Sequence, residues 1–117
     1  MKKIVFVNEK SPHKLHTLSA SLNMDGELVF DDGEIYSADG REVDEYLMVR
    51  AEHKSRVVSL LGKAFNGLSI TCSETADDRL FRMLDRLAGS GHWKALDEVE
   101  KWLMDRNVPF VKRRVVY

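Results

Sequence analysis

The stretch MDGELVFDDGEIYSADGREVDEY, Met24 to Tyr46, carries nine carboxylates (Asp25, Glu27, Asp31, Asp32, Glu34, Asp39, Glu42, Asp44 and Glu45) against one base, Arg41. Carboxylates at that density can ligate a cation, dock a basic partner or solvate turns. The segment SLNMDGELVFDD comes close to a calcium loop, with Asn23, Asp25, Gly26, Leu28 and Asp32 at its third, fifth, sixth, eighth and twelfth positions. Ser21 replaces the first carboxylate, however, and Asp32 is a methylene shorter than the usual bidentate Glu. The flanks also read as strands, where the motif needs helices. Calcium is therefore not expected. Turns use one or two Asp or Gly residues each, so Glu27, Glu34, Glu42 and Glu45 exceed what turn geometry requires. A docked basic protein would offset their mutual repulsion. The expected docking residues are Asp31, Asp32, Glu34, Asp39, Glu42 and Asp44, with Trp93 as an exposed aromatic anchor near a helix start.

Other reactive residues offer less. His13 and His16 lie three apart near Glu9, but on a strand that spacing sends them to opposite faces. No second Cys or His pair completes a zinc tetrahedron, so no metal or other cofactor is expected. Cys72, in SITCSET, stands close to a helix start with no base to activate it. The chain has no Gly-x-Ser-x-Gly elbow and no glycine-rich phosphate loop, and no enzymatic role is expected. Arg50, Lys54, Arg56, Lys63, Lys112, Arg113 and Arg114 could follow a phosphate backbone. They support an alternative reading as a small nucleic-acid-binding protein, although no recognised module accompanies them.

The elements that must position these residues belong to a chain of 117 residues, 44% hydrophobic and 32% charged. Those proportions suit one globular domain spanning 1–117. The net charge of −1 hides a partition. Residues 25–45 hold nine of the 19 acids and one of the 18 bases, a balance of −8, which leaves +7 on the rest. A single cysteine allows no internal disulfide and fits the reducing cytosol. The apolar run at Ile4–Val7 is too short for a signal peptide, and no stretch approaches the ~20 apolar residues of a membrane span. A cytoplasmic location follows as the expectation.

Ile4–Val7 is β-prone, and NEKSPH after it is turn chemistry. Period-two alternation predicts a strand at 14–22. Gly26 supplies a turn, a strand follows at 27–30, DDG reads as a second turn, and further strands fall at 34–37 and 45–51. The period then changes to 3.6, which predicts helices near 53–65, 76–88 and 92–106. A brief extended piece at Leu68–Thr71 separates the first two. Thr75 with Asp78 makes a capping pair, Gly89 a stop, and Asn107 before Pro109 a helix end with positive φ. A last strand at 110–116 returns to the sheet. Trp102, Leu103, Val99, Leu84, Phe81, Leu61 and Val49 are the expected core. Strands in the first half and helices in the second make an α+β fold: a mainly antiparallel sheet of about five strands with three helices on one face.

EYLMVRAEHKSRVVSLL and LDEVEKWLMDRNVPF carry a resemblance. With its strand–helix start and its tail of the form WL, acid, Asn or Gly, Val or Ile, Pro, aromatic, the second half resembles a group of small, mostly uncharacterised bacterial proteins. Some small bacterial proteins of this size and type look like immunity proteins, which neutralise a toxin by binding it. The resemblance covers about half the chain and transfers no catalytic residues. With the charge partition, it implies a non-enzymatic protein-binding module whose acidic segment docks a basic protein, such as a nuclease-like toxin.

Overall fold

The computed structural model describes residues 3–64 and 75–117. Its sheet is built from β1 (Lys3–Lys10), β2 (Lys14–Leu22), β3 (Leu28–Tyr36), β4 (Glu42–Val49) and β5 (Val111–Val116), all antiparallel and in spatial order β1-β2-β3-β4-β5. Three helices, α1 (Ala51–Ala64), α2 (Ala76–Gly89) and α3 (Leu96–Asp105), pack on one face. The fold is therefore α+β, with β5 closing the sheet beside β4. Among the described residues, no helix is long and apolar enough to cross a membrane.

Register decides what each face holds. Ala20, Phe30 and Leu47 stand opposite one another across three strands, and Leu28 is opposite Val49. Successive strand residues point to opposite faces, so these residues and Leu18 make one apolar surface. The helices cover it with Val57, Val58 and Leu61 from α1, with Leu80, Met83, Leu84 and Leu87 from α2, and with Leu96, Val99 and Leu103 from α3. Full burial of such a side chain stabilises by about 1.5–3 kcal/mol. All of the expected core residues lie here, with Trp102 at its half-buried margin.

Local chemistry places the helix ends. Thr75 and Asp78 form the capping box of α2. Beyond Gly89 the chain turns at Gly91 (φ 77°), where the Gly91 N–H bonds Ala88 O and the His92 N–H bonds Leu87 O. Asn107 (φ 55°) closes α3 the same way, through Met104 O and Leu103 O. Arg56 then donates to the carbonyls of Arg106 and Asn107, which ties α1 to the end of α3.

Several expectations are corrected. The DDG stretch is not a turn. β3 runs unbroken through it, with Gly33 opposite Thr17 on one side and Asp44 on the other. A Cβ at Gly33 would lie 2.7 Å from Asp44 Oδ1 and 3.2 Å from Thr17 Oγ1. The glycine is there to make room across the sheet, not to bend the chain. β1 is longer than the apolar run and belongs to the sheet, because a bulge at Phe6 lets both Phe6 and Val7 reach the core. Trp93 is neither on a helix nor exposed. It precedes α3 in left-handed backbone (φ 58°), is 7% exposed, and joins Phe6, Phe30 and Trp102 with ring centroids 5.6–5.8 Å away. The Gly91 turn swings it back under the sheet's aromatic residues, so the expected exposed anchor is a buried ring. Cys72, the extended piece at Leu68–Thr71 and the end of the first predicted helix at Phe65 lie outside the described residues.

Two contrasts test this packing by chemical denaturation. Trp93→Ala should cost about 3–5 kcal/mol, more than Trp102→Ala, whose ring is only partly covered. Gly33→Ala should cost about 1–3 kcal/mol through overpacking. Gly62→Ala, on α1 with nothing within 4 Å of its new Cβ, should stabilise by about 0.5–1 kcal/mol.

Candidate functional site

The nine carboxylates do not share one surface. Asp25, Glu27 and Asp39 sit in turns. Asn23 organises the first turn, its Oδ1 accepting from the N–H groups of Asp25 and Glu27, and Asp39 Oδ1 accepts from the Arg41 N–H. The near-calcium segment is thus a β-hairpin. The other six alternate between the two sheet faces, because Asp31 and Asp32 are neighbours on one strand, as are Asp44 and Glu45. Asp32, Glu34 and Glu45 point to the helix side, and Asp31, Glu42 and Asp44 to the opposite face. The expectation of a single acidic docking face over 25–45 is corrected accordingly.

On the helix side, the apolar surface ends where β2, β3 and β4 run past the start of α3. The next residues of the same parity are His16, Asp32, Glu34, Tyr36, Val43 and Glu45. With Arg114 of β5 and Ala95, Leu96 and Asp97 at the start of α3, they line a cleft of about 310 Å³. His16 Nε2 lies 2.7 Å from Asp32 Oδ1, both side chains being mostly buried. The Tyr36 hydroxyl donates to Glu34 Oε2 at 2.6 Å, and Lys14 Nζ lies 3.4 Å from Glu34 Oε1. The tyrosine's hydrogen bond, more than the lysine, holds the Glu34 carboxyl below its ordinary value. One potential ligand atom from each of His16, Asp32 and Glu34 falls within 4.8 Å of the others. The sequence reading left the histidines without partners. His16 finds its partners across the sheet, being opposite Glu34 and diagonal to Asp32. The signal was its parity with Leu18, Ala20 and Leu22.

The other face carries no helix among the described residues. One row across it reads Val5, Ser19, Asp31, Tyr46 and Arg113, and the next reads Asn8, Thr17, Gly33, Asp44 and Val115. Asp31 and Asp44 are diagonal neighbours. Asp44 is buried and accepts from the Tyr46 hydroxyl at 3.4 Å. Asp31 is half-buried, and its Oδ1 is buried with no hydrogen-bond partner. Burial and the neighbouring Asp44 charge push the Asp31 carboxyl from 3.8 up to about 6, against the pull of Lys3. A hydrogen bond with Tyr117 raises the Tyr46 hydroxyl well above its ordinary value. Tyr46, Met48, Arg113, Val115 and Tyr117 line a shallow depression of about 370 Å³ beside the acids. The same face also exposes apolar side chains: Val5, Ile35, Val111 and Tyr117 are each more than 40% exposed.

The basic residues are dispersed. Lys54 bridges Asp77 (2.8 Å) and the Gly26 carbonyl (3.0 Å). Lys112 pairs with Glu100 (2.8 Å) and Glu45 (3.8 Å). Arg50 lies with His53 and Phe110 beside a separate small cavity. Arg113 and Arg114 are consecutive on β5 and point to opposite faces.

Asp31 makes stability depend on pH. Its folded value lies above its unfolded one, so between about 6 and 3.8 the folded chain holds a proton that the unfolded chain releases. Stability gains from this group as pH falls through about 6 and loses it as pH rises. Asp31→Asn should therefore raise Tm at pH 7.5, by about 1 kcal/mol equivalent once solvent screening of a half-exposed group is allowed for. It should change Tm little at pH 4, and calorimetry at both pH values checks the difference. No family model, curated protein or solved structure matches the chain.

Proposed function

We propose that the protein is a non-enzymatic binding module that docks a basic protein on the helix-free face of the sheet. One observation carries this reading. Asp31 holds a buried oxygen without a donor, beside the buried carboxyl of Asp44, on a face rimmed by exposed apolar side chains. A Lys or Arg side chain from a partner would supply the missing hydrogen bond once rotation of the half-buried Asp31 carboxyl turns Oδ1 outward. It would also offset the repulsion between the two acids. Tyr46, Met48, Val115 and Tyr117 offer apolar area and a depression for the aliphatic stem of such a side chain. Lys3 and Arg113 flank the acids from β1 and β5, so the charge pattern is acidic at the centre and basic at the edges. That pattern fixes register as well as attraction.

An immunity role against a basic toxin, implied by the resemblance of the second half, is a special case of this reading. Nucleic-acid binding through Arg50, Lys54, Arg56, Lys112, Arg113 and Arg114 draws less support. Lys54, Arg56 and Lys112 already serve internal contacts, and the two arginines of β5 diverge.

A peptide rich in Lys and Arg, titrated into the isotopically labelled chain, tests the docking face. Amide shifts should cluster on Asp31, Asp44, Tyr46 and Met48. The affinity should fall about tenfold in Asp31→Asn and weaken as salt rises. Shifts confined to the His16 cleft, or affinity unchanged in Asp31→Asn, would remove the reading.

A further inference from the structure

The helix-side cleft is independent of the docking face. From its geometry we infer that His16, Asp32 and Glu34 form a binding site for a single divalent transition-metal ion of the Zn²⁺ type. Three observations converge. The first is the donor set: one imidazole nitrogen and two carboxylates, each with one ligand atom inside a 4.8 Å span. A carboxylate-only cluster would suit Ca²⁺ or Mg²⁺, whereas an imidazole shifts preference toward Zn²⁺ and its neighbours. Bonds of ~2.0–2.2 Å at tetrahedral angles put donor atoms about 3.3 Å apart. Side-chain rotation alone can draw these three that close, since all project from adjacent strands onto one face.

The second observation is support behind the ligands. Tyr36 donates to Glu34 Oε2 at 2.6 Å, which fixes the carboxylate plane and leaves Oε1 to the ion, in competition with Lys14 at 3.4 Å. Such partners behind a ligand fix its orientation. The 2.7 Å contact between His16 Nε2 and Asp32 Oδ1 brings an imidazole nitrogen and a carboxylate oxygen to one point. The ion would take the place of the shared proton, which leaves for solvent or the far ring nitrogen.

The third is the enclosure. The ligands line a cleft of about 310 Å³ whose remaining charged groups are Glu45, Asp97 and Arg114. The four carboxylates of the lining outnumber the two cations beside them, Arg114 in the cleft and Lys14 against Glu34, and the acidic excess draws in a dication. Three protein ligands leave a coordination position open to the cleft, the pattern of zinc sites that bind a small molecule and not of closed structural ones.

The probe is Zn²⁺ alone, titrated calorimetrically into the full chain after chelator treatment. A Cys72→Ser background keeps the thiol from competing. One ion per chain with micromolar affinity is expected. His16→Gln and Asp32→Asn should each weaken it at least tenfold, and His13→Gln less than twofold. Ca²⁺ and Mg²⁺ should bind at least a hundredfold more weakly. A readout free of variants comes from the wild-type histidine ring signals, where Zn²⁺ should shift His16 and spare His13, His53 and His92. The site is overturned by the absence of saturable Zn²⁺ binding at 100-micromolar metal, by unshifted His16 signals, or by an affinity indifferent to His16→Gln in a folded variant. Preference for Ca²⁺ over Zn²⁺ would equally reject it.

Discussion

β3 is paired along its whole length with both neighbours, and the molecule depends on that continuity. Nine residues, Leu28 to Tyr36, match β2 one for one, and eight of them match β4. A slip of one residue would carry Phe30 to the open face and Asp31 into the core. The pleat therefore sorts the acids, and the helices decide which part of each face stays dry. Phe30, held in this register, meets Phe6 and Trp93, and Trp93 meets Trp102 of α3. Sheet register thus reaches the helices through one chain of rings.

The same continuity concentrates charge that turns would have spread into solvent. Because β3 passes straight through Asp31, Asp32 and Gly33, one carboxylate enters a cleft beside an imidazole and its neighbour enters a half-buried row with no donor for one oxygen. Gly33 gives up a side chain so that Asp44 can sit above it. Native sheets usually keep such groups paired, since an unsatisfied buried oxygen costs about 1–3 kcal/mol. β3 keeps this unpaired oxygen because its pairing on both sides leaves the carboxyl nowhere else to go.

Much of the architecture was legible in the sequence. Alternation at Leu18, Ala20 and Leu22 gave β2 its bounds, and the change to a period of 3.6 gave the helices. Thr75, Asp78 and Asn107 marked helix ends through capping geometry that is local to a few residues. What was not legible is long-range. DDG has the composition of a turn, and only the pairing of both flanks with two strands makes it extended. Trp93 lies on the fringe of a helical pattern, and its burial depends on the left-handed turn before α3. The site suffered most. Composition shows nine acids, but which face each takes follows from register, and the partners of His16 lie 16 and 18 residues away on another strand.

The pairing of β5 with β4 also has a consequence for how the chain folds. β1 to β4 form a meander closed by short hairpins, whereas β5 must return from residues 111–116 to residues 43–48, across all three helices. Contacts at that sequence separation form late, because their loop-closure entropy precedes their reward. Until β5 arrives, the outer edge of β4 is a free row of N–H and C=O groups able to recruit another chain. Glu42, Asp44 and Glu45 stand along that edge and repel a second copy of themselves. Lys112, Arg113 and Arg114 give the intended partner strand the opposite sign. The acids of β4 thus choose between a strand of their own chain and a stranger during the interval when the sheet is still open.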